Sequence, residues 1–132
     1  MQYQKQYYLD NKERIRAGNT KWLANPDNYK RYRIAHDRNT IGIRKKLIIE
    51  LGGKCSNPKC LVLGGCTDIR CLQIDHINGG GIKQFKLFRG TYNMHRYYLN
   101  DLEKAKKELQ VLCANCNWIK RDENNECNRR LR

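Results

Sequence analysis

Two cysteine pairs, far apart in the sequence, constrain the fold of this chain more than any other feature. Cys113 and Cys116 are separated by two residues, a spacing that places two thiolates on one tight turn. Cys55 and Cys60 are separated by four residues, and Asn57-Pro58 favours a turn between them. Two such pairs are typical of a closed tetrahedral site. We therefore predict structural Zn²⁺ bound by Cys55, Cys60, Cys113 and Cys116.

The remaining three of the seven cysteines leave alternatives open. Cys66 and Cys71 repeat the four-residue spacing, and either can replace a member of the first pair. Cys71 can instead be buried in a strand, as free cysteines often are. Cys127 has no evident role. A redox dithiol at Cys113 and Cys116 is the rival chemistry, but the strand and helix pattern of a thioredoxin is missing around it.

Composition supports a metal-stabilised fold that works with a polyanion. The chain has 132 residues, 39% of them hydrophobic, and a mean hydropathy of -0.89, which predicts a thin core. Its 27 Lys and Arg residues exceed its 13 Asp and Glu residues, so the formal net charge is +14. Such a charge repels itself unless it is neutralised by a partner, and nucleic acid is the leading candidate.

The sequence argues against a membrane protein or a secreted protein. No segment approaches the roughly 18 consecutive apolar residues of a spanning helix. The first residues, Met1-Gln2-Tyr3-Gln4-Lys5, have no apolar signal region. We therefore expect a cytoplasmic location, in a reducing compartment where paired cysteines bind metal more often than they form disulfides.

A change in amino-acid composition divides the chain into two predicted parts. Residues 1–50 form a basic, mainly helical arm with a linking helix. Apolar side chains recur at helical spacing from residue 41 to residue 51, and Gly52-Gly53 ends the linking helix. Helix is interrupted near Asn25-Pro26. The arm can bind phosphates through its charges and tyrosines, or it can be a solvated, partly disordered tail. Residues 51–132 form the cysteine-containing domain, with a helical insert at about 82–108 that mainly packs and spaces its neighbours.

Two short strands and a helix are predicted in the second part. In residues 71–77, Leu72, Ile74 and His76 share one face of a strand, and Asp75 lies on the other face. Residues 109–112 form the second strand, and a helix containing residues 118–121 follows Cys113. The fold class is therefore small α+β, and the tail from residue 122 is expected to be loose.

Oxygen-bearing residues near the cysteines indicate phosphodiester chemistry. Asp75 and Asn117 offer oxygen ligands that suit Mg²⁺ or Mn²⁺, and His76 can act as a general base. Because successive strand residues point to opposite faces, Asp75 and His76 reach one metal only if the chain bends or the strand ends near Asn78-Gly79. Arg44, Lys45, Lys46, Lys120 and Arg121 are the candidate contacts to DNA phosphates.

Two segments together resemble the HNH, or ββα-metal, endonucleases. Residues 72–81 are similar to the first strand and loop of that family, and residues 109–120 are similar to its second strand and helix. The resemblance covers about residues 51–121. It implies a ββα-metal motif held by a four-cysteine zinc site and preceded by the basic helical arm.

The resemblance also implies roles for individual residues. His76 corresponds to the general base, and Asp75 and Asn117 correspond to ligands of one catalytic Mg²⁺ or Mn²⁺. Most of the family has His at the position of Asn117, whereas the junction-resolving branch has Asn there, as this chain does. Glu108 occupies the position of the family's middle Asn, so another residue is expected to orient His76. Asn78, Asn93 and Asn115 are the candidates for that role.

The implied function is metal-dependent hydrolysis of DNA that leaves 5′-phosphate and 3′-hydroxyl ends, in homing, phage or mobile-element biology. The implied partner is double-stranded DNA, with branched DNA as a second candidate. A monomer that nicks and a homodimer that cuts both strands are equally compatible with the sequence. A non-catalytic zinc-ribbon module that binds nucleic acid is the alternative, but it has no use for Asp75, His76 and Asn117 together.

Overall fold

The computed structural model describes residues 2–126, and it describes side chains from residue 4 onward. Over this part of the chain it contains seven helices and one two-stranded antiparallel sheet, which confirms the small α+β class. The chain divides into two compact units, Met1–Asn39 and Thr40–Arg132. Cys127 and most of the predicted loose tail lie outside the described residues.

The first unit consists of exposed helices. Helix α1 is Gln2–Asp10, α2 is Lys12–Leu23, and α3, Pro26–Glu50, begins here. The predicted interruption near Asn25-Pro26 is confirmed, because Asn25 Oδ1 accepts a hydrogen bond of 2.9 Å from the Asp27 amide and so caps α3. Five large aromatic side chains among the described residues of this unit are exposed: Tyr7, Tyr8, Trp22, Tyr29 and Tyr32. The arm is therefore helical, and its contact with DNA stays a prediction.

The last part of α3, from Thr40 onward, belongs to the second unit. Leu47 and Ile48 are fully buried there, and the helix ends at Glu50. Gly52 and Gly53 follow with φ of 110° and 67°, left-handed values that favour glycine and end the helix as predicted. The predicted domain boundary after residue 50 thus lies later than the division between the compact units.

The two predicted strands and the helix after them are confirmed. Strand β1 is Leu72–His76 and β2 is Leu109–Cys113, paired antiparallel with Leu72 opposite Cys113 and His76 opposite Leu109. Helix α7, Ala114–Glu123, starts directly after β2. The order strand, strand, helix therefore places the residues after Cys113 beside β1.

Three helices connect the strands, as predicted for the insert at about 82–108. They are α4, Gly81–Phe88, α5, Thr91–Leu99, and α6, Leu102–Glu108. Asp101 caps α6 by accepting a hydrogen bond of 3.1 Å from the Lys104 amide. The insert contributes Met94, Tyr98 and Ala105 to a buried cluster with Leu47 and Leu109.

A second buried cluster lies around the cysteines. It contains the apolar residues Ile48, Leu72, Val111 and Leu112 together with Cys55, Cys113 and Cys116. Leu47 and Ile48 are neighbours on α3 and belong to different clusters. The end of this helix therefore contributes to both buried clusters. In the described part of the chain, no helix has both the length and the apolar character needed to cross a membrane.

Candidate metal centre and adjoining polar site

The four cysteines predicted to bind zinc lie together. The sulfur atoms of Cys55, Cys60, Cys113 and Cys116 are all within 4.8 Å of one another, and those of Cys60 and Cys113 are 3.9 Å apart. Cys113 ends β2 and Cys116 lies in the first turn of α7, so the strand-to-helix junction supplies one pair. This cluster can hold a metal ion, and thiolate ligands suit zinc.

The loop around the other pair is held by close backbone contacts. The Cys55 amide donates to the Cys66 carbonyl over 2.8 Å. A Cβ at Gly65 would lie 2.6 Å from the Cys55 carbonyl oxygen, and Gly65 has φ of 89°. Only glycine fits this approach without displacing the backbone. The two segments of the loop are thereby held against each other beside the cluster.

The thiols of the cluster sit in contrasting surroundings. Backbone hydrogen bonds from Cys66 and Val62 lower the pKa of Cys60 to about 7, which favours the thiolate that a metal needs. Burial raises the pKa of Cys116 to about 12. A buried thiol of this kind becomes a stable thiolate when a bound cation supplies the compensating charge.

Cys66 and Cys71 do not belong to the cluster. Cys66 contributes its carbonyl to the Cys55 loop, and Cys71 is exposed just before β1. The interpretation of Cys71 as a buried strand residue is wrong, because β1 begins one residue later with Leu72. The six cysteines within the described residues are all free thiols.

Asp75 is a buried carboxylate with two donors. Its side chain belongs to a residue only 9% exposed, and its Oδ2 accepts from Gln110 Nε2 at 2.8 Å and from Lys120 Nζ at 2.7 Å. Gln110 lies directly opposite Asp75 in the sheet, and Lys120 reaches it from α7. Helix α7 therefore covers the face of β1 that the alternation assigned to polar residues.

His76 is buried on the other side of the same strand end. It is 8% exposed, its Nε2 lies 2.8 Å from Gln84 Oε1, and its ring meets Tyr98 edge-on with centroids 6.3 Å apart. Asp75 thus contacts β2 and α7, whereas His76 contacts α4 and α5. The alternating directions of two successive strand residues explain the difference.

One cavity nevertheless borders both residues. It has a volume of about 560 Å³, and its walls include Asp75, His76 and Asn117. Strand β1 ends at His76, and the chain then turns through Gly79 and Gly80, which have φ of 73° and 84°. The strand thus ends close to Asn78-Gly79, where the alternation required an end or a bend if Asp75 and His76 are to reach one metal.

Asn117 presents an oxygen that suits a hard cation. Its Nδ2 donates to Gln73 Oε1 over 2.6 Å, and its Oδ1 is buried with no hydrogen-bond partner among the described residues. A buried carbonyl oxygen left unpaired in this way is costly, and coordination to a cation would satisfy it. Asp75 and Asn117 both border this cavity, and carboxylate and amide oxygens are the kinds of ligand that Mg²⁺ and Mn²⁺ prefer.

The five predicted DNA contacts have different surroundings. Lys45 and Lys46 lie on α3, whereas the Arg44 guanidinium donates to the Leu72 carbonyl at the start of β1. Lys120 donates to Asp75 and also to the His76 carbonyl at 2.7 Å, so its ammonium points inward. Arg121 stacks on Trp118, 5.4 Å from the ring centroid, and borders the cavity of Asp75 and His76.

Glu108 is linked to His76 indirectly, through Tyr98 and Gln84. The Tyr98 hydroxyl lies 2.7 Å from Glu108 Oε2 and 2.7 Å from Gln84 Oε1, and its one proton is donated to only one of them at a time. Gln84 in turn contacts His76. The hydrogen bond from Tyr98 lowers the pKa of Glu108, and the Lys104 ammonium adds to the effect. Burial, reinforced by Glu108, raises the pKa of Tyr98 to about 12.

The three asparagines considered for orienting His76 make no hydrogen bond to it. Asn93 donates to the Phe88 carbonyl at 3.1 Å, and His76 Nε2 instead meets Gln84. Sequence reasoning missed Gln84, Tyr98 and Gln110. No local signal marks Gln84 or Tyr98, since both lie in the insert that was assigned to packing. Gln110 could have been found, because antiparallel pairing places it opposite Asp75.

His95 is a buried residue of α5. It is 4% exposed, and its Nδ1 has no hydrogen-bond partner among the described residues. Burial lowers the pKa of His95 to about 4, and the charges of Arg44 and His76 contribute. His95 is therefore neutral near pH 7 and does not act as a cationic phosphate contact.

Comparison with known proteins gives no match: no family, no curated protein and no solved structure is similar to this chain at a significant level.

Proposed function

We propose that this protein is a metal-dependent DNA endonuclease of the HNH type. The observation that carries the proposal is the meeting of Asp75, His76 and Asn117 at one cavity, beside the four-cysteine cluster. Asp75 and His76 end β1, and Asn117 follows the last cysteine of the cluster. A module that only binds nucleic acid does not need a buried acid, a buried histidine and an unpaired amide oxygen around one space.

In this proposal the four-cysteine cluster binds a structural Zn²⁺. The cluster joins the loop after α3 to the junction of β2 and α7, segments that also share an apolar cluster and the hydrogen bond of 3.0 Å from the Ala114 amide to the Cys71 carbonyl. Zinc there positions Asn117 relative to β1, because Asn117 is one residue beyond Cys116. The same turn therefore serves the fold through its thiolates and the site through the next side chain.

The reaction proposed is hydrolysis of a phosphodiester. Asp75 and Asn117 would hold a divalent cation, which would neutralise charge on the scissile phosphate. His76 accepts a proton from a water molecule, and the resulting hydroxide attacks phosphorus. The P–O3′ bond breaks, the 3′-oxygen takes a proton from solvent, and the products are a 5′-phosphate and a 3′-hydroxyl end.

The positive charge of the chain supports DNA as the substrate. The net charge of +14 favours a polyanion, and Lys45, Lys46 and the exposed helices of the first unit offer many phosphate contacts. Lys120 is assigned a different part, since its ammonium neutralises Asp75 next to the cavity. Arg121 borders the cavity and can contact the DNA backbone there.

Supercoiled plasmid tests the proposal. The purified chain with Mg²⁺ or Mn²⁺ is expected to convert the plasmid to nicked or linear DNA, and EDTA is expected to stop the reaction. EDTA can also remove zinc, so the zinc content is measured after the treatment. In protein that has kept its zinc, adding Mg²⁺ alone must restore cleavage. Salt-sensitive DNA binding with no cleavage under any of these metals would support the non-catalytic module instead.

A further inference from the structure

A second cavity adjoins the one bordered by Asp75 and Asn117. Its volume is about 450 Å³, inside the range of roughly 300–1,000 Å³ that small-ligand sites occupy. The two cavities share four wall residues: Ile74, His76, Gly81 and Ile82. A group held in this second space, which we name the side cavity, would therefore lie next to a phosphate bound beside Asp75.

Part of the wall of the side cavity is an apolar surface on α4. Phe85 is 49% exposed and Ile82 is 73% exposed, and their spacing of three residues places them on one face of the helix. Phe88, near the end of the same helix, packs against the buried cluster of Met94 and Tyr98. The core thus takes up Phe88, whereas about half of the Phe85 surface stays accessible where Phe85 borders the side cavity.

The side cavity also has polar groups in its wall. The Arg44 guanidinium donates to the Leu72 carbonyl, which places its charge at the start of β1. His95 is 4% exposed, and its Nδ1 has no hydrogen-bond partner among the described residues. A buried polar atom of this kind is costly, and a ligand with a hydrogen-bonding edge could satisfy it. Thr91 adds a hydroxyl that can donate or accept.

An accessible aromatic ring next to hydrogen-bonding groups fits an unstacked nucleobase. Proteins bind such bases by stacking them on aromatic side chains and by hydrogen bonds to their edges. The charge of Arg44 disfavours a cationic ligand, and the net charge of +14 favours one that carries phosphate. Lys83 and Lys86, exposed on α4, offer contacts to neighbouring phosphates. A base paired within a duplex cannot enter a cavity, so the base must be unpaired or turned out of the helix.

We propose that the side cavity binds one unpaired base of a DNA strand whose phosphate lies beside Asp75, with Phe85 stacking on the base. This inference rests on the proposed function, which places the phosphate there. It defines a substrate class: DNA with an unpaired base close to the scissile bond, as in a bulge, a flap or a branch. Arg44, expected from the sequence to contact phosphate, borders the base instead.

Equilibrium binding to three matched duplexes tests the side cavity. The zinc-loaded full chain is titrated, without Mg²⁺ or Mn²⁺, against a fully paired duplex, the same duplex with one bulged thymine, and the same duplex with one bulged abasic residue. The two bulges carry equal numbers of phosphates, so the difference between them reports the base. The wild type is expected to bind the thymine bulge about 5- to 150-fold more tightly than the abasic bulge, the effect of stacking one base on an aromatic ring.

Three substitutions on α4 locate the effect. Phe85→Leu keeps an apolar side chain but removes the flat ring, so the preference for the thymine bulge is expected to disappear. Phe85→Tyr keeps the ring and should keep the preference. Leu87→Ala changes a residue that is 76% exposed and outside the walls of the side cavity, and it should also keep the preference. All three variants should keep the zinc content of the wild type and its affinity for the fully paired duplex, because the phosphate contacts are unchanged.

The outcomes separate failure of this inference from failure of the proposed function. Equal wild-type affinity for the thymine and abasic bulges would overturn the inference, as would a preference retained in folded Phe85→Leu. Binding of thymidine 5′-monophosphate as tight as that of the thymine bulge would show a site for free nucleotides, and would also overturn it. A preference that depends on Phe85 in a protein that never cleaves DNA would support the base site and refute the nuclease. Plasmid cleavage without any preference would do the reverse.

Discussion

The Lys120 ammonium lies 2.7 Å from Asp75 Oδ2, in an ion pair whose side chains are 16% and 10% exposed. It also donates to the His76 carbonyl at 2.7 Å and lies 3.7 Å from Glu126 Oε1. One positive charge therefore sits on the carboxylate that we propose as a ligand of the catalytic cation. A divalent cation and the Lys120 ammonium would compete for the negative charge of the Asp75 carboxylate. This competition can be tested by substitution of Lys120.

Lys120→Met should make the protein depend more on divalent cations. The buried Asp75 loses its ionic partner, and breaking such a pair costs roughly 2–4 kcal/mol for groups that keep slight solvent contact. Mg²⁺ should then restore stability, so the rise in Tm on adding Mg²⁺ should be larger in Lys120→Met than in the wild type. Lys107→Met, which removes an exposed lysine, controls for net charge. Equal Mg²⁺-induced shifts in all three proteins would contradict the competition.

The cysteine cluster predicts a sharp contrast between two substitutions. Cys60→Ser removes a member of the cluster, and Cys71→Ser alters an exposed thiol outside it. Because structural zinc binding and folding are coupled, Cys60→Ser should lose bound zinc and its cooperative unfolding transition. Cys71→Ser should keep both. Metal analysis and thermal unfolding provide the measurements, and equal zinc content in the two variants would refute the assigned set.

The burial of the end of α3 within the second unit predicts another contrast, between neighbouring isoleucines. Ile48 is fully buried beside Cys55 and Leu72, whereas Ile49 is 64% exposed. Ile48→Ala should lower the free energy of unfolding by about 2–5 kcal/mol, from lost burial and the cavity left behind. Ile49→Ala should change it by less than about 0.5 kcal/mol. Urea unfolding of the zinc-loaded protein measures both, and similar losses would show that this face of α3 is not packed.

His95 predicts a loss of stability in weak acid. Its pKa is lowered to about 4 by burial, whereas an unfolded chain has an ordinary histidine with a pKa of about 6.5. Between these values the unfolded state binds more protons, so this contribution to stability is present above about pH 6.5 and decreases as the pH falls towards 4.

The contribution of His95 can be isolated with His95→Gln, which does not titrate. From pH 7.5 to pH 5, the wild type should lose roughly 1–2 kcal/mol more of its unfolding free energy than the variant. Protonation of the zinc thiolates affects both proteins, so the difference between them reports His95. Equal losses in urea unfolding at the two pH values would contradict a buried neutral imidazole.

The parts of the fold that the sequence predicted correctly have local causes. The strands around Ile74 and Val111 follow from short apolar runs, and α3 ends where two glycines take left-handed torsions. The cysteine cluster follows from pair spacing, since each pair can bind one side of a tetrahedral ion. These signals depend on residues close together in the sequence.

The parts that were missed depend on contacts between distant elements. Gln84 and Tyr98 meet His76 only because α4 and α5 fold back on the end of β1, and neither side chain has a characteristic spacing. Lys120 was assigned to DNA because it lies a turn beyond Asn117, yet its ammonium is bound by the buried carboxylate of Asp75. Arg44 is likewise engaged by the Leu72 carbonyl.

The most direct test of the proposed nuclease activity is the rate of plasmid nicking by His76→Ala and wild type in saturating Mn²⁺, with zinc content and DNA affinity matched. We expect the wild type to nick supercoiled plasmid and His76→Ala to be slower by about 10²- to 10⁴-fold, the usual contribution of a general base. Nicking by a folded, zinc-loaded His76→Ala at the wild-type rate would contradict the account.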